Sequence, residues 1–415
     1  MRSIGLFIML FLAVHVSAQE SEIQVFPQDQ NEFTGEKIIN GLVSNGVEIL
    51  DVRPNFGPES HVMGFFIDPV KYMGIGQGMM LSTGVVDNVT RESTEQNYTS
   101  MELDIAKVQE SLEIYDEGVE WIGTDTNTNT LDIASTDIPT DASNFLHKYV
   151  KKGDADLSGE IKGMRTFDAR VIEIDFIPTA DTFYYRYVFA SEEYDEYVCS
   201  QYNDIFAFYL WEDGKQKKNV ALVPNKKLPV SINTVNNGNP YNKSCEKRNA
   251  YLYQKNNGKQ NLLYDGFTKV LDIRQKVTPG KKYHLKIAIA DASDGFWDSA
   301  VLLENGSIFS YFESFELKFD RNSSTLNSKD VLVQPLAALK NHPASKIQLI
   351  GHTDRTGTAD YNLELSMERV GGIKEYLMAN GIEASRIVET YKGESMPRYE
   401  QDMQNRRVEL FILGE

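Results

Sequence analysis

Large apolar side chains alternate with polar ones along much of the chain between residues 23 and 306. In three segments the alternation is regular, which predicts strands with one buried face. The alternating side chains are Phe183, Tyr185, Tyr187 and Phe189 in the first, Ile172, Ile174 and Phe176 in the second, and Tyr283, Leu285, Ile287 and Ile289 in the third. Turns rich in Gly, Pro, Asn and Asp separate these runs, which favours an antiparallel β-sandwich over a parallel sheet with crossover helices. A candidate helix over 101–112 and a polar tract over 123–130 interrupt the pattern.

The pattern changes after residue 306, where segments with helical periodicity alternate with segments of strand-like periodicity. The predicted elements are a strand at 315–319, a helix that Ser328 caps and that runs to about Leu339, a strand over 347–351, a helix over 363–379 with Gly381 as its C-terminal stop, and strands over 386–391 and 407–412. The predicted chain is therefore multidomain, with an N-terminal, mainly-β antiparallel sandwich over 19–310 and a C-terminal α+β domain (β-α-β-α-β-β) over 312–415.

The first residues have the order of a secretory signal peptide. Arg2 precedes an apolar run over 4–16, and Val16-Ser17-Ala18 resembles a cleavage site, so we expect export and removal of residues 1–18. No later stretch approaches the ~18 apolar residues that a transmembrane helix needs, so no transmembrane segment is expected in the mature chain. Since the residue directly after Ala18 is Gln19 and not a cysteine, a lipid anchor at the new N-terminus is not expected either.

The net charge bears on which partners the protein can bind, and the cysteine content bears on the compartment in which it folds. The chain has 60 Asp+Glu against 42 Lys+Arg, a formal net charge of -18, which repels phosphate backbones and makes nucleic acid an unsuitable partner. The two cysteines, Cys199 and Cys245, are predicted to form a disulfide, because an exported chain folds in an oxidising compartment. Two buried free thiols are the alternative.

Acidic loops make Ca²⁺ a candidate cofactor, and no other cofactor is predicted. The segment GDADLSGEIKGMR has oxygen ligands at calcium-loop spacing, but Arg165 stands where an EF-hand needs a bidentate Glu. A looser site would draw on carboxylates at several strand ends. The candidate ligands are Asp154, Asp156, Glu192, Asp291 and Asp294. The alternative is a set of solvated acidic loops on an acidic protein.

The stretch GHTDRTGTADYNLELSMERV, residues 351–370, carries the most concentrated candidate chemistry. It puts Asp354 just past a strand end and Arg369 inside the next helix. The two groups suit a ligand with an ammonium and a carboxylate on one carbon, because Arg binds a carboxylate bidentately and Asp accepts charge-assisted bonds from the amine. An internal Asp354–Arg369 salt bridge is the alternative.

The segments FDRNSSTL, IGHTDRTGTADYNLELSMERV, KEYLMANGI, RIVETYKGESMP and NRRVEL resemble the OmpA-like peptidoglycan-binding domain in order and spacing, over about residues 312–415. The resemblance implies that Asp354 and Arg369 hold the diaminopimelate residue of the peptidoglycan stem peptide. The matching supporting positions are Thr353, Asn362, Leu365 and Arg407. The departures from the family pattern are Val370, the pair Gly371-Gly372 within the helix, and Pro335.

The N-terminal region resembles a second family. GIGQGMMLSTG, GDADLSG, YRYVFASEEYDEYVCSQYNDIFAFYL and AIADASDGFWDSAVLLENGSI are similar to the choice-of-anchor L domain of bacterial exported proteins, over about residues 74–310. That family implies attachment to the envelope without implying a reaction.

These observations predict a non-enzymatic cell-envelope protein, located in the periplasm and associated with the cell wall and outer membrane. Its C-terminal domain would bind peptidoglycan, and its sandwich would present a module of unknown ligand. An adhesin or carbohydrate-binding module, with Trp297 and Tyr202 as contacts for a glycan or protein, is the alternative. A periplasmic glycan hydrolase would need paired carboxylates, and the candidates are Glu192, Glu193 and Asp204. Neighbours on a strand point to opposite faces, which argues against the first two as a pair.

Overall fold

The computed structural model describes residues 23–27, 35–55, 62–69, 71–84, 153–162, 164–256, 262–293, 297–326 and 328–414. The predicted signal peptide, the candidate helix over 101–112 and the polar tract over 123–130 lie outside these residues, and so does Asp294. Export and cleavage therefore stay predictions. None of the helices among the described residues combines the length and the apolar character needed to cross a bilayer.

The described elements, in chain order, are strands and helices in roughly the predicted places. The strands are β1 Gln24–Pro27, β2 Val47–Asn55, β3 Met63–Ile67, β4 Gln77–Ser82, β5 Thr166–Pro178, β6 Thr182–Ser191, β7 Ile205–Glu212, β8 Lys218–Asn219, β9 Tyr253–Lys255, β10 Gly266–Thr268, β11 Leu271–Lys276, β12 Tyr283–Ala292, β13 Ser299–Glu304, β14 Phe309–Lys318, β15 Ile347–His352, β16 Ile387–Gly393 and β17 Arg407–Leu413. The α-helices are α1 Gly35–Leu42, α2 Ala155–Glu160, α3 Val333–Asn341, α4 Ala359–Ala379 and α5 Asp402–Asn405.

These strands form two sheets. The five-stranded sheet has the order β2-β5-β12-β7-β8. The twelve-stranded sheet has the order β1-β3-β4-β13-β6-β14-β17-β15-β16, with β10 and β11 also paired to β6 and β9 paired to β10. Strands β15 and β16 run parallel, and the other strand pairs of the described residues are antiparallel. The mainly-β, antiparallel character predicted for the N-terminal part is confirmed.

The predicted apolar faces form the core between the two sheets. Rings of β6 meet rings of the opposite sheet, with centroids 5.0 Å apart for Phe183 and Phe176 and 4.8 Å apart for Tyr185 and Phe208. The other face of β6 is buried as well, which the alternation did not predict. There the ring of Tyr184 stacks on Phe309 at 4.5 Å, because β6 lies in the interior of the larger sheet with a second core on its outer side.

The C-terminal unit has the predicted order of strands and helices, with small differences. Helix α4 begins at Ala359 because the Thr358 hydroxyl accepts the N–H of Tyr361 and caps it. Ser328 caps a 3₁₀ turn over Lys329–Leu332, and α3 follows that turn. Pro335 lies in the first turn of α3, where its missing N–H has no intrahelical partner to lose. The short helix α5 was not predicted.

Strand β14 joins the two parts of the molecule. Its first residues, Phe309–Tyr311, pair with β6 of the sandwich, and its later residues, from Glu313 to Lys318, pair with β17. One sheet therefore continues from the sandwich into the C-terminal unit. The side chains of Tyr184 and Phe411 meet in the core beside this junction, with ring centroids 5.1 Å apart.

Candidate functional site

Asp354 lies in the loop between the end of β15 and the start of α4, and it is ionised and held in place. Its Oδ1 accepts the backbone N–H of Thr356 at 3.0 Å, and its Oδ2 accepts a bond from Arg406 Nη1 at 3.1 Å. Burial opposes ionisation, but the bonds from Thr356 and Arg406 outweigh it and lower the pKa of Asp354. The loop therefore presents a carboxylate at neutral pH.

Arg369 projects from α4 and is almost fully buried. Its guanidinium donates to three backbone carbonyls, those of His352 at 2.7 Å, Ser323 at 2.8 Å and Asp320 at 3.2 Å. The guanidinium carbon lies 4.9 Å from the centroid of the Phe319 ring. Burial lowers the pKa of Arg369 to about 10, so the side chain remains charged at neutral pH.

The two charged groups are neighbours without being each other's ion pair. The charge of Asp354 raises the pKa of Arg369, which indicates that the groups are close. Both residues are among those described, and no ion pair within 4.0 Å joins them, since the ion partner of Asp354 is Arg406. The internal salt bridge considered from the sequence is therefore absent. An ionised carboxylate and a charged guanidinium thus lie near each other, without direct contact, at one strand–loop–helix junction.

Three of the supporting candidates lie next to this junction. The backbone N–H of Thr353 donates to the carbonyl of Gly393 at 2.8 Å, while its buried hydroxyl has no hydrogen-bond partner. The amide of Asn362 donates to the Glu394 carboxylate at 2.5 Å. Leu365 is buried on the same helix, α4. The structure therefore brings these three residues to the neighbourhood of Asp354 and Arg369.

Arg407, the fourth supporting candidate, has different contacts. Its fully buried guanidinium donates to Glu409 at 3.1 Å and to the carbonyls of Asn405 and Met396. It is the preceding residue, Arg406, that binds Asp354, and the sequence analysis missed it. The adjacent pair of arginines at the start of β17 was the available signal, because neighbouring residues along an extended chain point to opposite sides.

The candidate calcium ligands fall into two groups. Asp154 and Asp156 both accept bonds from Lys286 Nζ, at 2.5 Å and 2.7 Å, and Asp156 also pairs with Lys217. Asp154 in addition caps α2 by accepting the N–H groups of Asp156 and Leu157. Lysines therefore already balance this pair of carboxylates.

Glu192 and Asp291 belong to a second group, with other buried carboxylates as neighbours. Burial, followed by the charge of Asp204, raises the pKa of Asp291 well above the usual range. Burial likewise raises the pKa of Glu192 to about 8 and that of Asp298 to about 7. In the described part of the chain, no three metal-ligating side chains are arranged to hold an ion. Calcium binding stays a prediction.

The candidate residues for glycan chemistry lie on the loops at one end of the sandwich. Asp204 is fully buried and accepts the N–H of Ala292 at 2.9 Å and the Ser299 hydroxyl at 2.6 Å. Glu193 accepts the N–H of Asp204 at 3.2 Å. These bonds give the two carboxylates roles in holding the strand ends together.

The aromatic candidates form one group on the same loops. The ring of Tyr197 lies 5.4 Å from that of Tyr202 and 6.3 Å from that of Trp297. Trp297 is 37% exposed. In the same loop as Tyr197, the predicted disulfide between Cys199 and Cys245 is confirmed, with Cα atoms 5.9 Å apart.

Comparisons with known proteins concern mainly the C-terminal quarter. That part is 35% identical over 101 residues to the probable lipoprotein YiaD of Escherichia coli (strain K12), covering 23% of this chain and 46% of the relative. It is 36% identical over 98 residues to the peptidoglycan-associated lipoprotein of Legionella pneumophila, covering 22% of this chain and 56% of that relative. A solved structure of the peptidoglycan-associated lipoprotein from Burkholderia pseudomallei is 28% identical over 23% of this chain and 87% of that chain, with a TM-score of 0.22.

The chain spans about half the length of these two curated relatives. Family models match a larger part of this chain than these relatives do. Residues 115–309 match the choice-of-anchor L domain, and residues 318–409 match the OmpA family. The chain therefore carries a choice-of-anchor L domain followed by a C-terminal OmpA family domain, as the sequence predicted.

Proposed function

We propose that this protein is a non-enzymatic component of the bacterial cell envelope that binds peptidoglycan noncovalently through its C-terminal domain. The observation that carries the proposal is that ionised Asp354 and charged Arg369 lie near each other, within the residues that match the OmpA family. The name of the Legionella relative, a peptidoglycan-associated lipoprotein, supports the same ligand. The sandwich would be presented from the cell wall as a module with its own ligand.

The proposed contact is the diaminopimelate residue of the stem peptide. Its side chain ends in a carbon that bears both an ammonium and a carboxylate, so it needs an acceptor and a planar donor at one place. Asp354 supplies the acceptor. Arg369 supplies the donor, because a guanidinium has five N–H groups, and its bonds to three carbonyls leave others for a ligand carboxylate. The location that follows is the periplasm, after export.

The test is binding of the full chain to purified sacculi and to a diaminopimelate-containing muropeptide. Asp354→Asn and Arg369→Ala should each weaken the muropeptide affinity by about 10- to 100-fold, because a charge-assisted bond is worth ~1.5 to 3 kcal/mol. Arg369→Lys should lose nearly as much, since an ammonium lacks the planar fork. Sacculi with lysine in place of diaminopimelate should bind weakly, because lysine has no carboxylate on its terminal carbon.

A matched control separates binding from folding. Arg386 also donates to three backbone carbonyls, those of Ser345, Leu339 and His342, at the other end of the C-terminal domain. Arg386→Ala should therefore lower the melting temperature in the same way as Arg369→Ala and leave the muropeptide affinity unchanged. If Asp354→Asn and Arg369→Ala are folded by circular dichroism and retain wild-type binding, the proposed site is wrong.

A further inference from the structure

The segment Lys392–Arg398, which includes the end of β16 and the loop after it, contacts both the sandwich and the candidate binding site. On the sandwich side, Lys392 Nζ donates to the Glu304 carboxylate at 2.5 Å and to the carbonyl of Gly74 at 3.0 Å. At the other end of the segment, Arg398 Nη2 donates to Asp272 at 2.6 Å. Two ion pairs, the first buried and the second part-buried, thus fasten the segment to the sandwich.

Backbone bonds add to this attachment. The N–H of Val270 in the sandwich donates to the carbonyl of Ser395 at 3.1 Å. A side chain on Gly74 would come within 2.4 Å of the Ser395 side chain, so the two backbones approach closely only because residue 74 is a glycine. The segment is therefore held to the sandwich along its length.

On the site side, the same segment positions two of the supporting candidates. The carbonyl of Gly393 accepts the N–H of Thr353, the residue before Asp354, at 2.8 Å. The carboxylate of Glu394 accepts the amide of Asn362 at 2.5 Å. Gly393 and Glu394 thus contact the site, and the residues on either side of them, Lys392 and Ser395, contact the sandwich.

The Lys392–Glu304 pair is buried, which makes the attachment sensitive to loss of either partner. Only 3% of the Lys392 side chain and 12% of the Glu304 side chain are exposed. Arg186 of the sandwich donates to the second oxygen of Glu304 at 2.5 Å, so this one carboxylate balances two buried cations. Removing the negative charge leaves Lys392 buried without a counter-charge, a state that buried ions tolerate poorly.

A second connection ends at the same site. Arg274 of the sandwich binds the Glu409 carboxylate at 2.7 Å, and the ring of His352 lies 3.5 Å from that carboxylate. The backbone carbonyl of His352 in turn accepts the bond from Arg369. The Thr353 side of the candidate site is therefore linked to the sandwich through the Lys392–Glu304 pair. The Arg369 side is linked through neutral His352, which lies beside the Glu409–Arg274 pair.

We infer that the sandwich positions the peptidoglycan-binding residues, with Glu304 as a positioning residue that acts through Lys392, Gly393 and Glu394 on Thr353 and Asn362. The inference rests on the proposed function. It means that the C-terminal domain has its full affinity only while it is docked on the sandwich. By reciprocity, occupancy of the site by peptidoglycan stabilises the docked arrangement.

The test uses the full chain with Glu304→Gln and Lys392→Met, alone and together, and measures muropeptide affinity by calorimetry. Each single variant should bind about tenfold more weakly. The double variant should be no weaker than the single ones, because both changes break the same contact. Hydrogen exchange at the Thr353 N–H should be faster in each variant, since its bond to Gly393 is no longer held.

The control is Glu389→Gln, which removes contacts with Lys374 and the Tyr391 hydroxyl inside the C-terminal domain and none with the sandwich among the described residues. It should change the melting temperature slightly and leave both affinity and Thr353 exchange unchanged. Wild-type affinity in folded Glu304→Gln, with unchanged Thr353 exchange, would overturn the positioning inference alone. Absence of muropeptide binding by the wild-type chain would instead overturn the proposed function, and the inference with it.

Discussion

At the scale of single residues, His352 links the candidate site to the buried charges beneath it, and it is held neutral. Burial, followed by the positive charge of Arg407, lowers the pKa of His352 to about 3. Histidine in an unfolded chain titrates near 6.5, so on acidification the unfolded state takes up the proton first. The contribution of this group to stability is therefore complete above about pH 6.5 and is lost as the pH falls from there towards 3.

This titration predicts that the difference in the free energy of unfolding between wild type and His352→Gln depends on pH. The wild-type free energy of unfolding, measured relative to the variant, should be constant above about pH 7. Below about pH 6.5 it should fall by up to about 1.4 kcal/mol per pH unit. Urea unfolding at four pH values between 4.5 and 7.5 measures the difference. Curves for the two proteins that stay parallel through this range would contradict the burial of a neutral imidazole.

The sequence located Asp354 and Arg369 at the junction, because a strand end and a helix start are recognisable from periodicity and capping. It did not identify Arg406 as the partner of Asp354. That choice depends on which of two adjacent arginines faces the loop, and a strand register set by distant pairing decides it. The same applies to Glu409, whose neighbours come from both halves of the chain.

At the scale of elements, helix α4 carries two glycines that weaken it. Position 372 is exposed, and a Cβ built there has no atom within 4 Å. Gly in a helix interior costs up to ~1 kcal/mol relative to Ala, so Gly372→Ala should raise the free energy of unfolding by about that amount. Chemical denaturation measures the change, and muropeptide affinity should not change.

Gly351→Ala is the contrasting substitution for that measurement. A Cβ at residue 351 would lie 2.4 Å from the carbonyl oxygen of Ser366, where β15 packs against α4. This variant should be destabilised, although alanine is added in both cases. A Gly372→Ala protein that is no more stable than wild type would show that helix propensity does not limit α4.

The positions of strands with one apolar face were predictable from the sequence, and the burial of their other face was not. The alternating faces of β5, β6 and β12 were correctly predicted as core. The second buried face of β6 was not, because alternation identifies one apolar face and gives no information on what covers the other. The segment from Thr182 to Ser191 is buried at every position, as expected of a strand inside a large covered sheet.

At the scale of the whole molecule, the two domains share a sheet and a core. Strand β14 pairs with β6 on one side of the junction and with β17 on the other. Pairings between residues 89 to 129 positions apart leave no local signal, so the sequence predicted two domains and not their junction. The ring of Phe411 in the C-terminal domain packs on Tyr184 and Phe309 of the sheet, with centroids 5.1 Å and 5.7 Å away. Separating the domains would expose this core.

The shared core predicts that the two domains unfold together. Amides of α4 and of β12, which lie in different domains, should lose protection from hydrogen exchange at the same urea concentration in the wild-type chain.

Phe411→Ala removes the ring that joins the cores, and a Phe→Ala change in a core costs ~3 to 5 kcal/mol. It should therefore split unfolding into two transitions, with α4 exchanging at lower urea than β12. Ile373→Ala, within the C-terminal core alone, should lower the midpoint without splitting it. Two separate transitions in the wild-type chain would show that the junction at β14 does not couple the domains, because residues that share one cooperative core lose protection as a unit.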